Sequence, residues 1–148
     1  MYKHILCPID GSSTSNCGMV EAISLAKALQ ANLRFLHIVD TYFPILDANG
    51  ELNILYLADI QRSQGKKILE VAEERARQYG VSAECIIVES IGERVSKQII
   101  KQVEEWPADV VVMGTHGLRG FARLMMGSDA DMVIKQSHVP VLLVKTHS

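Results

Sequence analysis

The segment GTHGLRGFARLMMGS, residues 114 to 128, holds four of the chain's ten glycines and follows directly on the apolar run DVVVM. Glycine lacks a Cβ, so Gly114 and Gly117 would let the backbone turn with positive φ and let a ligand approach main-chain N–H groups. Nine residues then separate Gly117 from Gly127, and Gly127-Ser128 opens the last helical segment. The first N–H groups of a helix have no intrahelical acceptor, and the helix dipole favours anions, so phosphate is the chemistry this spacing suits. Each residue also has an ordinary explanation, because glycines make tight turns and Ser128 is a natural N-cap. Arg119 and Arg123 could bring positive charge to a phosphate or be merely solvated; Arg119 lies nearer the glycines. Asp129, in the first helical turn, suits the helix dipole but would repel phosphate across the same N–H groups, or would help hold a magnesium ion. His116 titrates in the range of a general base. No orienting carboxylate or nucleophile can be set beside it from sequence, so a binding or exposed role is favoured.

These residues need a scaffold, and the apolar pattern predicts one. Short runs rich in β-branched residues occur at 4–9 (HILCPI), 33–39 (LRFLHIV), 83–88 (AECIIV), 109–113 (DVVVM) and 139–144 (VPVLLV), which predicts five strands, several buried on both faces. Helical spacing lies between them. Met19, Ala22, Ile23, Ala26 and Leu29 share one face, as do Ile68, Ala72, Ala76 and Tyr79, and Val95, Ile99 and Val103. A fourth helix is predicted from about 128 to 137, with Ser128 and Asp131 in the form of a capping box. Alternation of strand and helix predicts an α/β three-layer sandwich with a parallel sheet and right-handed crossovers. In such a sheet ligands bind beyond the carboxyl ends of the strands, where strand order reverses. The stretch 40–59 breaks the rhythm with Pro44 and an Asn49-Gly50 turn signal, and reads as a long loop that either covers one end of the sheet or is a surface insertion.

The totals narrow the function. A chain of 148 residues with 48% hydrophobic content suits one compact domain. A net charge of −2 disfavours general nucleic-acid binding. Cys7, Cys17 and Cys85 are odd in number and lack CxxC spacing, and His4, His37, His138 and His147 lack metal-ligand spacing, so neither a disulfide framework nor a zinc site is suggested and a reducing cytoplasm fits. Cys7 and Cys85 are expected to be buried in strands, and Met125 and Met126 to fill the core. No apolar run approaches the roughly 20 residues that span a bilayer, so a soluble, unexported protein with no membrane partner is expected.

The pattern G-x2-G-x9-G-S resembles that of nucleotide-binding members of the universal stress protein family, and the likeness runs from ILCPIDGS through HIVD to VPVLLVK. The resemblance implies a five-stranded sheet of order 3-2-1-4-5 with ATP, accompanied by magnesium, at its carboxyl edge. By position it implies that Pro8, Ile9 and Asp10 flank the nucleoside, with the Asp10 carboxylate near ribose or metal, and that Val39 offers its backbone to adenine. Gly114, Gly117, Gly127 and Ser128 would take ribose and phosphates. Thr115, His116, Leu118, Arg119, Gly120, Asp129 and Ala130 complete the implied contact set. Asp129 departs from the apolar residue common after the Ser in this family.

Three functions compete on this reading. The first is an ATP-binding stress protein acting by occupancy, with slow hydrolysis at most; the second is a homodimeric interaction module of the same fold that binds no nucleotide. The third is an efficient enzyme, disfavoured because neither G-x4-G-K-(S/T), nor G-x-G-x2-G after the first strand, nor S-G-G-x-D-S is present. The last strand, if it lies at a sheet edge, has backbone groups in need of cover. The resemblance implies a homodimer in which strands 139–145 of two copies meet antiparallel; a monomer with its edge blunted by Pro140 and Lys145 is the alternative.

Overall fold

A computed structural model describes residues 1–42, 50–115 and 126–146. Nine elements follow one another: β1 (His4–Pro8), α1 (Ser13–Leu29), β2 (Asn32–Asp40), α2 (Gly50–Gln78), β3 (Ala83–Ser90), α3 (Val95–Glu105), β4 (Val110–Gly114), α4 (Ser128–Gln136) and β5 (Val141–Val144). The strands form one sheet of order β3-β2-β1-β4-β5, with every adjacent pair parallel. Strand order therefore reverses between β1 and β4, and the carboxyl ends of these two strands flank a topological switch point.

Side-chain alternation along the strands sorts the core into two layers. Ile5, Cys7, Leu33, Phe35, Val110 and Val112 face α1 and α2, where they meet Met19, Ala22, Ile23, Leu69, Ala72 and Ala76. Leu6, Leu36, Val111 and Met113 face the other way, onto Ile99 and Val103 of α3 and Ala130 and Val133 of α4. Phe35, Ile5 and Leu6 are fully buried, each contributing about 1.5–3 kcal/mol. Cys7 belongs to this interior, and burial pushes its thiol far up.

Four local expectations fail, each for a physical reason. The region read as a long loop, 40–59, is helical from Gly50 onward, because α2 runs 29 residues to Gln78. Leu55, Tyr56 and Leu57 on its first turns are exposed, so apolar character there does not mark the packed face. That face is set by Ala58, Gly65, Leu69, Ala72 and Ala76, while Tyr79 lies past the helix end and is exposed. Cys85 is exposed rather than buried, since β3 is an edge strand; its thiol is still pushed up to about 11 by partial desolvation and by Glu73. Met126 is also exposed, and Met125, Pro44 and Asn49 lie outside the described residues. Among the described residues no helix is long and apolar enough to cross a membrane.

Candidate functional site at the carboxyl edge

Three loops bring the sequence-derived residues to the switch point. From β1 the chain passes through Pro8 and Ile9 to Asp10, whose Oδ1 accepts the Ser12 N–H at 2.9 Å and whose own N–H donates to Ser15 Oγ at 2.9 Å. Ser12 is the N-cap of α1, its Oγ accepting from the Ser15 N–H at 3.2 Å. Side chains of this loop thus cap the Ser15 N–H in the first turn of α1 and hold the loop that leads into it.

From β4 the chain passes through Gly114 to Thr115, which is 5% exposed. The Thr115 N–H donates to the Val144 carbonyl at 3.1 Å, and the Thr115 carbonyl accepts from the Gly127 N–H at 2.6 Å. That last bond draws the two described ends of the glycine segment together and sets the start of α4 beside the end of β4. Gly127, at φ −60° and ψ 149°, is the N-cap of α4, and as a glycine it offers no side chain to cap the helix. The Ser128–Asp131 capping box is therefore corrected by one residue: Ser128 is the first helical residue, Asp131 donates its N–H to the Gly127 carbonyl at 3.0 Å, and its carboxylate pairs with Lys135 at 2.7 Å. By helix geometry the N–H groups of Ser128, Asp129 and Ala130 have no intrahelical acceptor.

The role of Gly114 is also corrected. Its φ is not positive, and a Cβ at this position would lie 2.6 Å from the Thr14 carbonyl carbon and oxygen and 2.9 Å from the Ser15 nitrogen. On the opposing helix, a Cβ at Gly18 would stand 3.0 Å from the Gly114 nitrogen. Glycine is required here because the backbones of α1 and β4 touch, whatever else approaches. His116, Gly117, Leu118, Arg119 and Gly120, together with Arg123, lie outside the described residues.

Asp129 is half-buried, and its Oδ1 accepts the Ser96 N–H at 3.2 Å. Ser96 belongs to the first turn of α3, whose N-cap Arg94 gives no side-chain cap. Ala130 is 2% exposed and packs into the layer with Ile99 and Val133, so only its main chain could meet a ligand. Among the described residues no group of three or more His, Cys, Asp or Glu side chains is arranged to hold a metal ion.

The sequence pattern of the universal stress protein family matches residues 1–145. The chain belongs to that family. It is 33% identical over 146 residues to the universal stress protein MJ0531 of Methanocaldococcus jannaschii, a match covering 98% of this chain and 83% of the relative. Among solved structures, that of MJ0577 from the same organism is similar with a TM-score of 0.83 at 26% identity, over 100% of this chain and 99% of the other. A universal stress protein in complex with cAMP is similar with a TM-score of 0.71 at 25% identity, covering 99% and 98%. The strand order implied by the family resemblance is the order observed.

In this universal stress protein two features of the edge escaped the sequence reading. His37, on β2, donates from Nδ1 to the Ile9 carbonyl at 2.8 Å, since a carbonyl can only accept. A Cβ at Gly65 of α2 would stand 2.5 Å from the His37 Cδ2, so Gly65 leaves room for the ring beneath the helix, where it holds the end of β1. A histidine within the apolar run LRFLHIV was the signal, because a buried polar ring needs a partner. The second feature concerns Val39. Leu36 accepts from Ile9 on the β1 side, whereas Thr41 donates to Ser90 on the β3 side. Main-chain groups alternate along a strand, so Val39 directs its N–H and C=O toward β3, and Ile38 directs them toward the space past the end of β1. A base lying at the switch point would therefore meet the main chain of Ile38 rather than that of Val39.

Proposed function

We propose that the chain binds an adenine nucleotide, ATP with magnesium, at the carboxyl edge between the ends of β1 and β4, and acts through occupancy rather than turnover. The observation that carries this reading is the 2.6 Å bond from Gly127 to Thr115, which sets the start of α4, with a glycine at its N-cap, at the switch point. Main-chain N–H groups of Ser128 and Ala130 would take phosphate oxygens, with Gly117 contributing by its place in the glycine pattern. Pro8 and Ile9 would flank the nucleoside, and Ile38 would meet the base. The cAMP-bound relative supports an adenine ligand.

The carboxylates of Asp10, in the loop after β1, Asp40, at the end of β2, and Asp129, in the first turn of α4, lie at this edge. A polyanion beside them is best accommodated with a cation, and magnesium commonly takes one or two carboxylates together with phosphate oxygens. Asp10 is the residue that would hold it; the metal would offset phosphate charge. Asp129 is directed to Ser96 and is not needed for either the metal or the repulsion considered from sequence.

Titration calorimetry of the purified chain with Mg-ATP tests the proposal. Saturable binding near one nucleotide per chain is expected, abolished by Gly127→Val, which puts a branched side chain at the phosphates. Absence of saturation in the wild-type chain, with no adenine nucleotide released on denaturing the purified protein, would favour the nucleotide-free interaction module.

Such a module would pair through β5. That strand bonds to β4 alone among the described strands and leaves Leu142 39% exposed on an otherwise half-buried strand. We propose antiparallel pairing of residues 139–145 across a two-fold axis, which covers this edge in either reading. Light scattering at micromolar concentration should give a dimer mass, and Leu142→Lys should give a monomer.

A further inference from the structure

Asp129 sits between Ser128 and Ala130, the two residues of the proposed phosphate cradle, where a negative charge is least welcome. Its carboxylate does not point along α4. It reaches sideways to α3, where Oδ1 accepts the Ser96 N–H at 3.2 Å. Ser96 is 2% exposed, and α3 has no side-chain cap of its own, because its N-cap position is Arg94. The two helices pack through Ile99, Val103, Ala130 and Val133, all 2% exposed or less. One carboxylate therefore caps α3 from the first turn of α4 and ties the starts of both helices together.

We propose that Asp129 is a positioning residue for the nucleotide site: by capping α3 in trans it fixes the first turn of α4, and its charge is compensated by the α3 dipole instead of opposing phosphate. The inference rests on the nucleotide reading above and deepens it. Two physical effects act in the same direction. A first turn anchored at its second residue loses less freedom when its N–H groups close on a ligand. A carboxylate at a helix N-terminus meets the equivalent of about +0.5 charge, which offsets its field at the neighbouring α4 amides.

Asp129→Asn keeps an acceptor oxygen and removes the charge, whereas Asp129→Ala removes both. Two measurements on the full chain separate the roles. The first is hydrogen exchange of the Ser96 amide without nucleotide, followed by NMR. Losing a capping acceptor should speed it about five- to tenfold in Asp129→Ala, with Asp129→Asn close to wild type. The second is calorimetric affinity for Mg-ATP, which should weaken by a similar factor of about five in Asp129→Ala and change less than about twofold in Asp129→Asn. Unchanged Ser96 exchange in Asp129→Ala overturns the cap. A normal affinity in Asp129→Ala, or a rise of tenfold or more in Asp129→Asn, overturns the positioning role and makes Asp129 an uncompensated repulsive charge. A wild-type chain that binds no Mg-ATP while Ser96 exchange responds as stated retains the cap, but overturns both the nucleotide reading and the positioning role that rests on it.

Discussion

Helices α1 and α4 both begin at the carboxyl edge, yet their first turns are finished in opposite ways. The start of α1 is closed by its own loop: Ser12 Oγ caps Ser15, Asp10 Oδ1 takes the Ser12 N–H, and Ser15 Oγ takes the N–H of Asp10. The start of α4 has glycine at the N-cap, which offers no side chain of its own. A third start, that of α3, borrows the Asp129 carboxylate. The starts of α1 and α3 thus each hold a side-chain oxygen from within the protein, whereas the glycine N-cap of α4 offers none, so α4 is the start where an outside anion is of most use. Proximity to the switch point alone does not distinguish α1 from α4; the capping chemistry does.

The comparison can be broken most forcefully at Gly114. Gly114→Val would put side-chain atoms against the Thr14 and Ser15 backbone, where even a Cβ stands 2.6 Å from the Thr14 oxygen. We expect a loss of about 3 kcal/mol in denaturant unfolding, as overpacking pushes α1 away from β4. At Gly127 the outcome should be the reverse. Its φ of −60° suits any residue, so Gly127→Ser should hold or raise stability by a few tenths of a kcal/mol. The new hydroxyl would cap α4 as Ser12 caps α1, and Mg-ATP affinity should fall about tenfold, the equivalent of one good hydrogen-bonding interaction removed. Calorimetry and thermal melts on the same variant check both halves.

Much of this architecture was legible before any coordinates, and the failures are instructive. The five strands were plain because β-branched runs stand out between helical segments, and strand order came from family resemblance, which periodicity alone does not supply. The first turns of α2 were missed because Leu55, Tyr56 and Leu57 are apolar and exposed, so they blur the helical stripe. At the site, the location of the glycine segment was readable, but the reason for each glycine was not. Gly114 meets Thr14, 100 residues away in sequence, and Asp129 meets Ser96, 33 residues away. Such contacts depend on helix packing across the sheet and leave no trace in local spacing. The side to which Val39 turns its main chain was likewise unreadable, because which side of a strand a main-chain group faces depends on pairing.

Smaller effects sharpen the contrast. Ser12→Ala removes the α1 cap and should cost about 1 kcal/mol of stability, while Mg-ATP affinity stays within about twofold if α1 contributes little to anion binding. A matching loss of affinity would move the phosphate site toward α1. The smallest effect belongs to the far edge of the sheet, where Asp109 accepts the N–H groups of Lys3 and His4 at 2.6 and 2.8 Å. Those bonds, chiefly from Lys3, hold its carboxyl below the ordinary value of 3.8. A folded value below the unfolded one stabilises the protein above pH 3.8, and that contribution is lost as pH falls through the folded value. Wild type should therefore lose stability more steeply than Asp109→Ala in acid unfolding below pH 4, with nucleotide affinity at neutral pH unchanged.

The most direct measurement is an amide-resolved NMR titration of the wild-type chain with Mg-ATP. Saturable shifts should be concentrated at Thr115, Gly127, Ser128 and Ala130, with Thr14 and Ser15 of α1 moving far less. Shifts centred on α1, or saturation that leaves Gly127 and Ser128 unmoved, would contradict a phosphate site at α4.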